Sequence, residues 1–261
     1  MKKLILLFSI LAGSNTHPAL KKISALFFDV ESIFRTNSMR ASSYIGKIDS
    51  LRYLSAVGHL PCQSDLFKQL KPIKAISTQV TYNNNLEMPL ILSDWLSAAQ
   101  SSQKIKDTIQ KYFANKNISE IEKKVLFAIV CMMLTAKHLA DTQEVSEKIE
   151  SLLAKLKHLK VKLFLVGNWA HIGSLKAEFT NLFKLFDGVF VSGDLKLLKP
   201  TLDYYTTVLT NSNIETDQAL WIETEQKFIT RAKNYGLHVA HYHHDHHDDL
   251  IKTLKSYGFL V

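Results

Sequence analysis

Five short apolar runs punctuate the chain, at residues 23–28, 161–166, 188–191, 219–222 and 238–242. Each is about strand length and dense in Phe, Leu, Val and Ile, as strands covered on both faces of a parallel sheet require. Between the runs the apolar period changes. Val145, Ile149, Leu152, Leu153, Leu156 and Leu159 recur at helical spacing, behind Asp141 and Glu144 in capping-box-like positions and with Glu144 four residues before Lys148. Leu175, Phe179, Leu182 and Phe183 form a second stripe, and Phe228, Ile229, Ala232 and Tyr235 a third. Strands alternating with helices predict an α/β fold, a Rossmann-like parallel sheet flanked by helices.

Residues 41–141 interrupt that alternation. Ile121, Val125, Leu126, Ile129, Met132 and Met133 keep helical spacing behind a Ser119 to Glu122 capping box, and strand signals are few. The stretch reads as an inserted α-helical domain on a core made of 15–40 and 142–261, with Asn83, Asn84, Asn85 and Pro89 marking a loop inside it. The first fourteen residues read differently again. Lys2 and Lys3 precede an apolar run at 4–13, and Ala12 and Ser14 place small residues around a cleavage point, the order of a secretory signal peptide. The expectation is cleavage after Ser14 and export to the periplasm or the medium; the alternative is a helix packed on a cytoplasmic chain. A run of that length is about half of a membrane-spanning helix, so no permanent membrane anchor is expected.

Composition narrows the function classes. At 46% hydrophobic and 21% charged residues the chain is globular, and 9 glycines and 5 prolines in 261 residues leave turn punctuation too sparse for a many-stranded sandwich. The net charge of +8 is spread along helical segments among acidic and apolar residues. That distribution describes a solvated face; it shows no nucleic-acid signature and suits an anionic small molecule. Cys62 and Cys131 are too few for a disulfide framework and show no metal-ligand spacing.

The chemistry lies just after the apolar runs, where ligands bind in open parallel sheets. Asp29-Val30-Glu31-Ser32 follows the first, Gly167-Asn168-Trp169 the second, Ser192-Gly193-Asp194 the third, then Lys199-Pro200, and Glu223-Thr224-Glu225 follows the fourth. In this order and spacing the motifs resemble those of the haloacid dehalogenase superfamily, in its members with a helical cap inserted between the first and second motifs. The resemblance implies a phosphohydrolase acting on a small phosphorylated molecule through an aspartyl phosphate, with Mg2+ as cofactor. Asp29 matches the nucleophile, Glu31 stands where the family has its acid–base aspartate, and Lys199 matches the lysine that steadies nucleophile and phosphate. Asp29, Glu31 and Glu223 are the implied metal ligands, with Glu225 an open alternative to Glu223. Gly167 and Asn168 occupy the substrate-binding motif.

Three positions depart from the family pattern: Glu31 lengthens the acid, Gly167 replaces a phosphate-binding hydroxyl, and Glu223-Thr224 replaces paired aspartates. The alternative reading is therefore a non-catalytic relative that binds a ligand or a metal. A separate histidine run, including His243, His244, His246 and His247, carries ligands for Zn2+ or Ni2+, although so dense a spacing fixes no single tetrahedral site and describes a solvated loop more readily.

Overall fold

Residues 23–76 and 88–261 are described by a computed structural model of the chain. The signal-like segment 1–14 and the Asn83–Asn85 run lie outside the described residues. Five parallel strands form the central sheet: β1 (Ala25–Asp29), β4 (Lys162–Gly167), β5 (Gly188–Val191), β6 (Ala219–Glu223) and β7 (His238–His241), in the order β5-β4-β1-β6-β7. A separate antiparallel ribbon pairs β2 (Phe34–Thr36) with β3 (Gln143–Val145). The fold is α/β and Rossmann-like, as the five runs predict.

Alternation along β1 decides which layer each side chain enters. Leu26 and Phe28 join the core formed with helices Glu147–His158, Ile172–Glu178 and His247–Ser256; Ala25 and Phe27 join the opposite core with Tyr204, Tyr205 and Val208 of helix Leu202–Ser212. On that second face Phe27 is stacked between Phe164 and Trp221, with ring centroids 4.8 and 4.7 Å away. Both faces are thus sealed, and β1 stands in the middle of a buried sheet with its C-terminal edge facing the inserted helices.

From Ser38 to Asp141 every regular element among the described residues is helical. These helices build a core of their own from residues such as Leu66, Ile105, Val125 and Ile129, which Ala170 and Leu198 of the sheet domain also enter. The Ser119 to Glu122 capping box forms as expected, each partner serving the other's backbone N–H. The expected cap at Asp141 and Glu144 does not. Val145 belongs to β3, Glu144 binds Arg35 and Asn37 across the ribbon, and Ser146 caps helix Glu147–His158 instead. Tertiary pairing of β2 with β3 outweighs the local helical signal there. No helix among the described residues is long and apolar enough to cross a membrane.

The sheet domain and the helical insertion are joined at Ser192, whose Oγ donates to Leu96 O at 2.6 Å and accepts from Trp169 N at 3.0 Å. Gly193 beside it lies so close to the β4 loop that an added Cβ would stand 1.9 Å from Ala170 O. Gly193→Ala is therefore expected to push the two loops apart and cost about 1–3 kcal/mol in urea unfolding; a variant as stable as the parent would show that this approach is not required.

Candidate active site

β1 delivers Asp29 to the C-terminal edge of the sheet between β4 and β6, where successive connections depart to opposite sides. Such a switch point opens a crevice for ligands. Asp29 is 2% exposed and Lys199 is fully buried. Lys199 Nζ donates to Asp29 Oδ1 at 2.6 Å and to Glu223 Oε2 at 2.7 Å, and lies 4.4 Å from the centre of the Phe228 ring. Residues far apart in sequence thus meet around one ammonium.

Asn168 explains how Lys199 is held. Its side-chain amide donates to Lys199 O at 2.8 Å and accepts from Lys199 N at 2.9 Å, gripping the loop from both sides. The resemblance places Asn168 with the substrate; in the structure its amide also holds the lysine loop. Gly167 is similarly constrained. Its N–H donates to Tyr204 Oη at 2.7 Å, its φ is +145°, and an added Cβ would lie 2.5 Å from Asp29 Oδ1. What sequence presents as a missing hydroxyl is a position with no room for a side chain. Tyr204, which also donates to Phe190 O at 2.7 Å, escaped the sequence reading. Its only signal was its nearness to Lys199-Pro200.

A single helical turn, Val30–Ile33, follows β1 and turns Glu31 into a cavity of about 1050 Å³ that Asp29, Lys199, Glu225, Trp95 and Trp169 also line. Glu225 lines the same cavity as Glu31 and is paired with Lys227. Of the two acids after β6, Glu223 accepts from Lys199, and Glu225 stands in the cavity with Glu31. From the histidine run, His244 Nε2 donates to Glu31 O at 2.8 Å, and His243 lines the same cavity. His246 is exposed, whereas His247 packs against Tyr242 with a buried Nδ1 that has no partner. The four imidazoles do not converge.

A family model described as haloacid dehalogenase-like hydrolase matches residues 68–242. The chain belongs to this family. The match takes in Gly167, Asn168, Lys199 and Glu223, and Asp29 lies ahead of it. Among solved structures, a protein described as a predicted HAD-like family hydrolase from Porphyromonas gingivalis aligns with a TM-score of 0.56 at 16% identity, over 90% of this chain and 98% of that one. A HAD family enzyme from Bacteroides thetaiotaomicron, solved with magnesium and inorganic phosphate, aligns at 0.53 and 14% identity over 85% and 94%. A dehalogenase solved as an intermediate complex aligns at 0.54 and 13% identity over 86% of each chain. At these identities the likeness is one of fold. No curated protein matches the chain.

The electrostatics of this haloacid dehalogenase-like site follow from burial. Desolvation raises Asp29 above its usual range against the pull of Lys199. Glu223 is likewise pushed up to about 8 by burial, against Lys199 and with the Asp29 charge adding to the rise. Glu31 is reached by solvent through the cavity, yet loss of bulk water and the Asp29 and Glu225 carboxylates push it up to about 8. Desolvation works against the Lys199 charge, but Asp29 and Glu223 reverse it and hold the ammonium well above its ordinary pKa. Four carboxyl groups, of Asp29, Glu31, Glu223 and Glu225, thus share the site with two ammonium groups, of Lys199 and Lys227, and Glu223 Oε1 is buried without a partner. An oxygen-only donor set whose raised carboxyls can release protons to a metal fits a hard divalent cation.

Two outcomes follow. Between about 4.5 and 8 the folded chain holds protons on Glu31 and Glu223 that the unfolded chain has released, so metal-free stability should fall as pH rises through that window. Thermal melts across the range should show the fall, and added Mg2+ should reverse it; a flat profile would contradict the assignment. Gly167→Ser should displace Asp29 and lower stability by roughly 1–3 kcal/mol. Chemical denaturation of a serine variant as stable as the parent would show that the close approach is not binding on the fold.

Proposed function

We propose that this haloacid dehalogenase-like hydrolase cleaves a small phosphate ester through an aspartyl phosphate on Asp29. The observation that carries the reading is the Lys199 bridge, which fixes Asp29 by Oδ1 at the sheet's switch point and leaves Oδ2 for attack. Asp29 forms a bond to phosphorus as the ester oxygen leaves. Glu31, raised to about 8 in the metal-free chain, is the acid placed to give that oxygen its proton. The Glu31 carboxylate then takes a proton from water, which attacks the phosphorus, releases phosphate and restores Asp29. Asp29, Glu31 and the acids after β6, Glu223 and Glu225, are the residues that would hold Mg2+, which supplies charge to screen the phosphate. Leu92, Trp95, Ile129, Met132 and Trp169 give the cavity apolar walls, suited to a substrate with an apolar leaving group. The charged and apolar order of residues 1–14 adds export to this reading.

A second reading, a relative that binds a phosphorylated ligand without turning it over, is favoured by Gly167, which has no room for a phosphate-binding side chain, and by Thr224 in place of an acid. Asp29→Asn separates the two. On a panel of phosphate esters with Mg2+ the parent should be active and Asp29→Asn slower by roughly 10³-fold or more, since an amide cannot form the acyl phosphate. Full activity in the variant would remove Asp29 as nucleophile. A parent that binds Mg2+ and stays inert across the panel would establish the second reading.

A further inference from the structure

A different donor set lies in the helical insertion. Helix Lys47–Val57 ends at Gly58, and helix Gln63–Leu70 begins after Cys62. His59, Cys62 and Asp65 fall three residues apart across this junction, and the cap of the second helix draws them together. Asp65 Oδ2 accepts from Cys62 N at 3.3 Å, the Cys62 thiol donates to the same oxygen at 3.2 Å, and His59 Nδ1 lies 3.6 Å from it. One ligand atom from each lies within 4.8 Å of the other two, and no other set of three or more His, Cys, Asp or Glu does so among the described residues.

We propose that His59, Cys62 and Asp65 bind a divalent transition metal of the zinc class, with water completing the coordination. Tetrahedral ligands at zinc distances stand roughly 3.3–3.8 Å from one another. The Asp65 carboxylate lies 3.2 Å from the thiol and 3.6 Å from His59 Nδ1, and all three groups stand within 4.8 Å. His59 joins by Nδ1 once it gives up its 2.9 Å contact with Leu60 O, or by Nε2 after a turn of the ring. A thiolate and a carboxylate together cancel the metal's two charges, and a neutral imidazole completes a sulfur, nitrogen and oxygen set that suits zinc and disfavours magnesium. As the Sγ–metal bond forms, the thiol proton now shared with Asp65 passes to solvent. Asp65 is oriented from behind: Tyr53, 2% exposed, donates to its Oδ2 at 3.2 Å, the kind of supporting contact that holds a ligand in aim. His59 and Cys62 are exposed, so a metal can reach them. Cys62, with Leu60 and Pro61, lines the cavity that holds Asp29 and Glu31, which sets the metal at the wall of that cavity.

Cobalt reports the site because a Co2+–thiolate bond gives a near-ultraviolet charge-transfer band that imidazoles and carboxylates do not. Titrating the metal-stripped full chain with Co2+ should produce the band at one equivalent, and Zn2+ should abolish it. Cys62→Ser and His59→Ala should lose the band. It should persist in Cys131→Ser and in a variant with His243, His244, His246 and His247 all replaced by alanine. Tyr53→Phe should keep the band with affinity weakened about 10-fold. No band in the parent, or a band that survives Cys62→Ser in chains whose circular dichroism matches the parent, would overturn the assignment. Because the readout is independent of turnover, it stands apart from the hydrolase reading.

Discussion

One ammonium held between two buried carboxylates is the constraint around which the rest of the centre is arranged. Taking Lys199, Asp29 and Glu223 out of water is costly, and such a group is tolerated only when geometry and extra hydrogen bonds offset the loss of hydration. The chain meets that condition by fixing each member from its backbone. Asp29 and Glu223 end neighbouring parallel strands, so the sheet itself sets their separation. Lys199 comes from a loop, which has no such ladder, and Asn168 grips its peptide from both sides instead. Gly167 must then be small because the second strand end passes directly beside the Asp29 carboxylate.

The same constraint explains why the insertion matters. A charged site at an open sheet edge would be flooded with water, and its carboxylates would keep ordinary pKa values. Helices between β1 and β4 roof the edge, leaving Glu31 in a cavity walled by Trp95, Met132 and Trp169. Ser192 ties that roof to the loops of β4 and β5 through Leu96, so closure and the placement of the site are mechanically linked. Burial lifts Glu223 to about 8, while Glu31, open to the cavity, is raised to about 8 by its partial loss of bulk water and by the Asp29 and Glu225 carboxylates, so the roof contributes to the site as much as the sheet does.

Much of the fold was legible because a doubly covered sheet leaves a simple mark: runs such as Leu26-Phe27-Phe28 and Leu163-Phe164-Leu165-Val166 have no polar face to disguise them. Residues directly after those runs were legible for the same reason, since the strand end fixes their place. Asp29, Glu31 and Glu223 belong to that class. Positions that depend on a second segment were not. Glu144 carries a helical cap signal locally, yet its partners are Arg35 and Asn37 across the ribbon. Gly167 reads as an absent hydroxyl until the Asp29 carboxylate beside it is seen. Counting cysteines for a metal site missed Cys62, because its partners are a histidine and an aspartate and the helix cap that gathers them has cysteine at its first position.

Donor chemistry separates two places on one cavity. Around Asp29 the groups are carboxyl oxygens and an ammonium, a donor set that favours a small hard cation and gives a soft one no sulfur. Around Cys62 a thiol, an imidazole and a carboxylate are brought together by one helix cap, in partial contact with solvent. The first arrangement depends on the whole fold, since it draws on β1, β4, β6 and the Lys199 loop. The second depends on one turn of chain between two helices, so it forms wherever that turn does. The donor chemistry would thus sort cations of different hardness to different walls of the cavity, and neither place needs the other in order to be built.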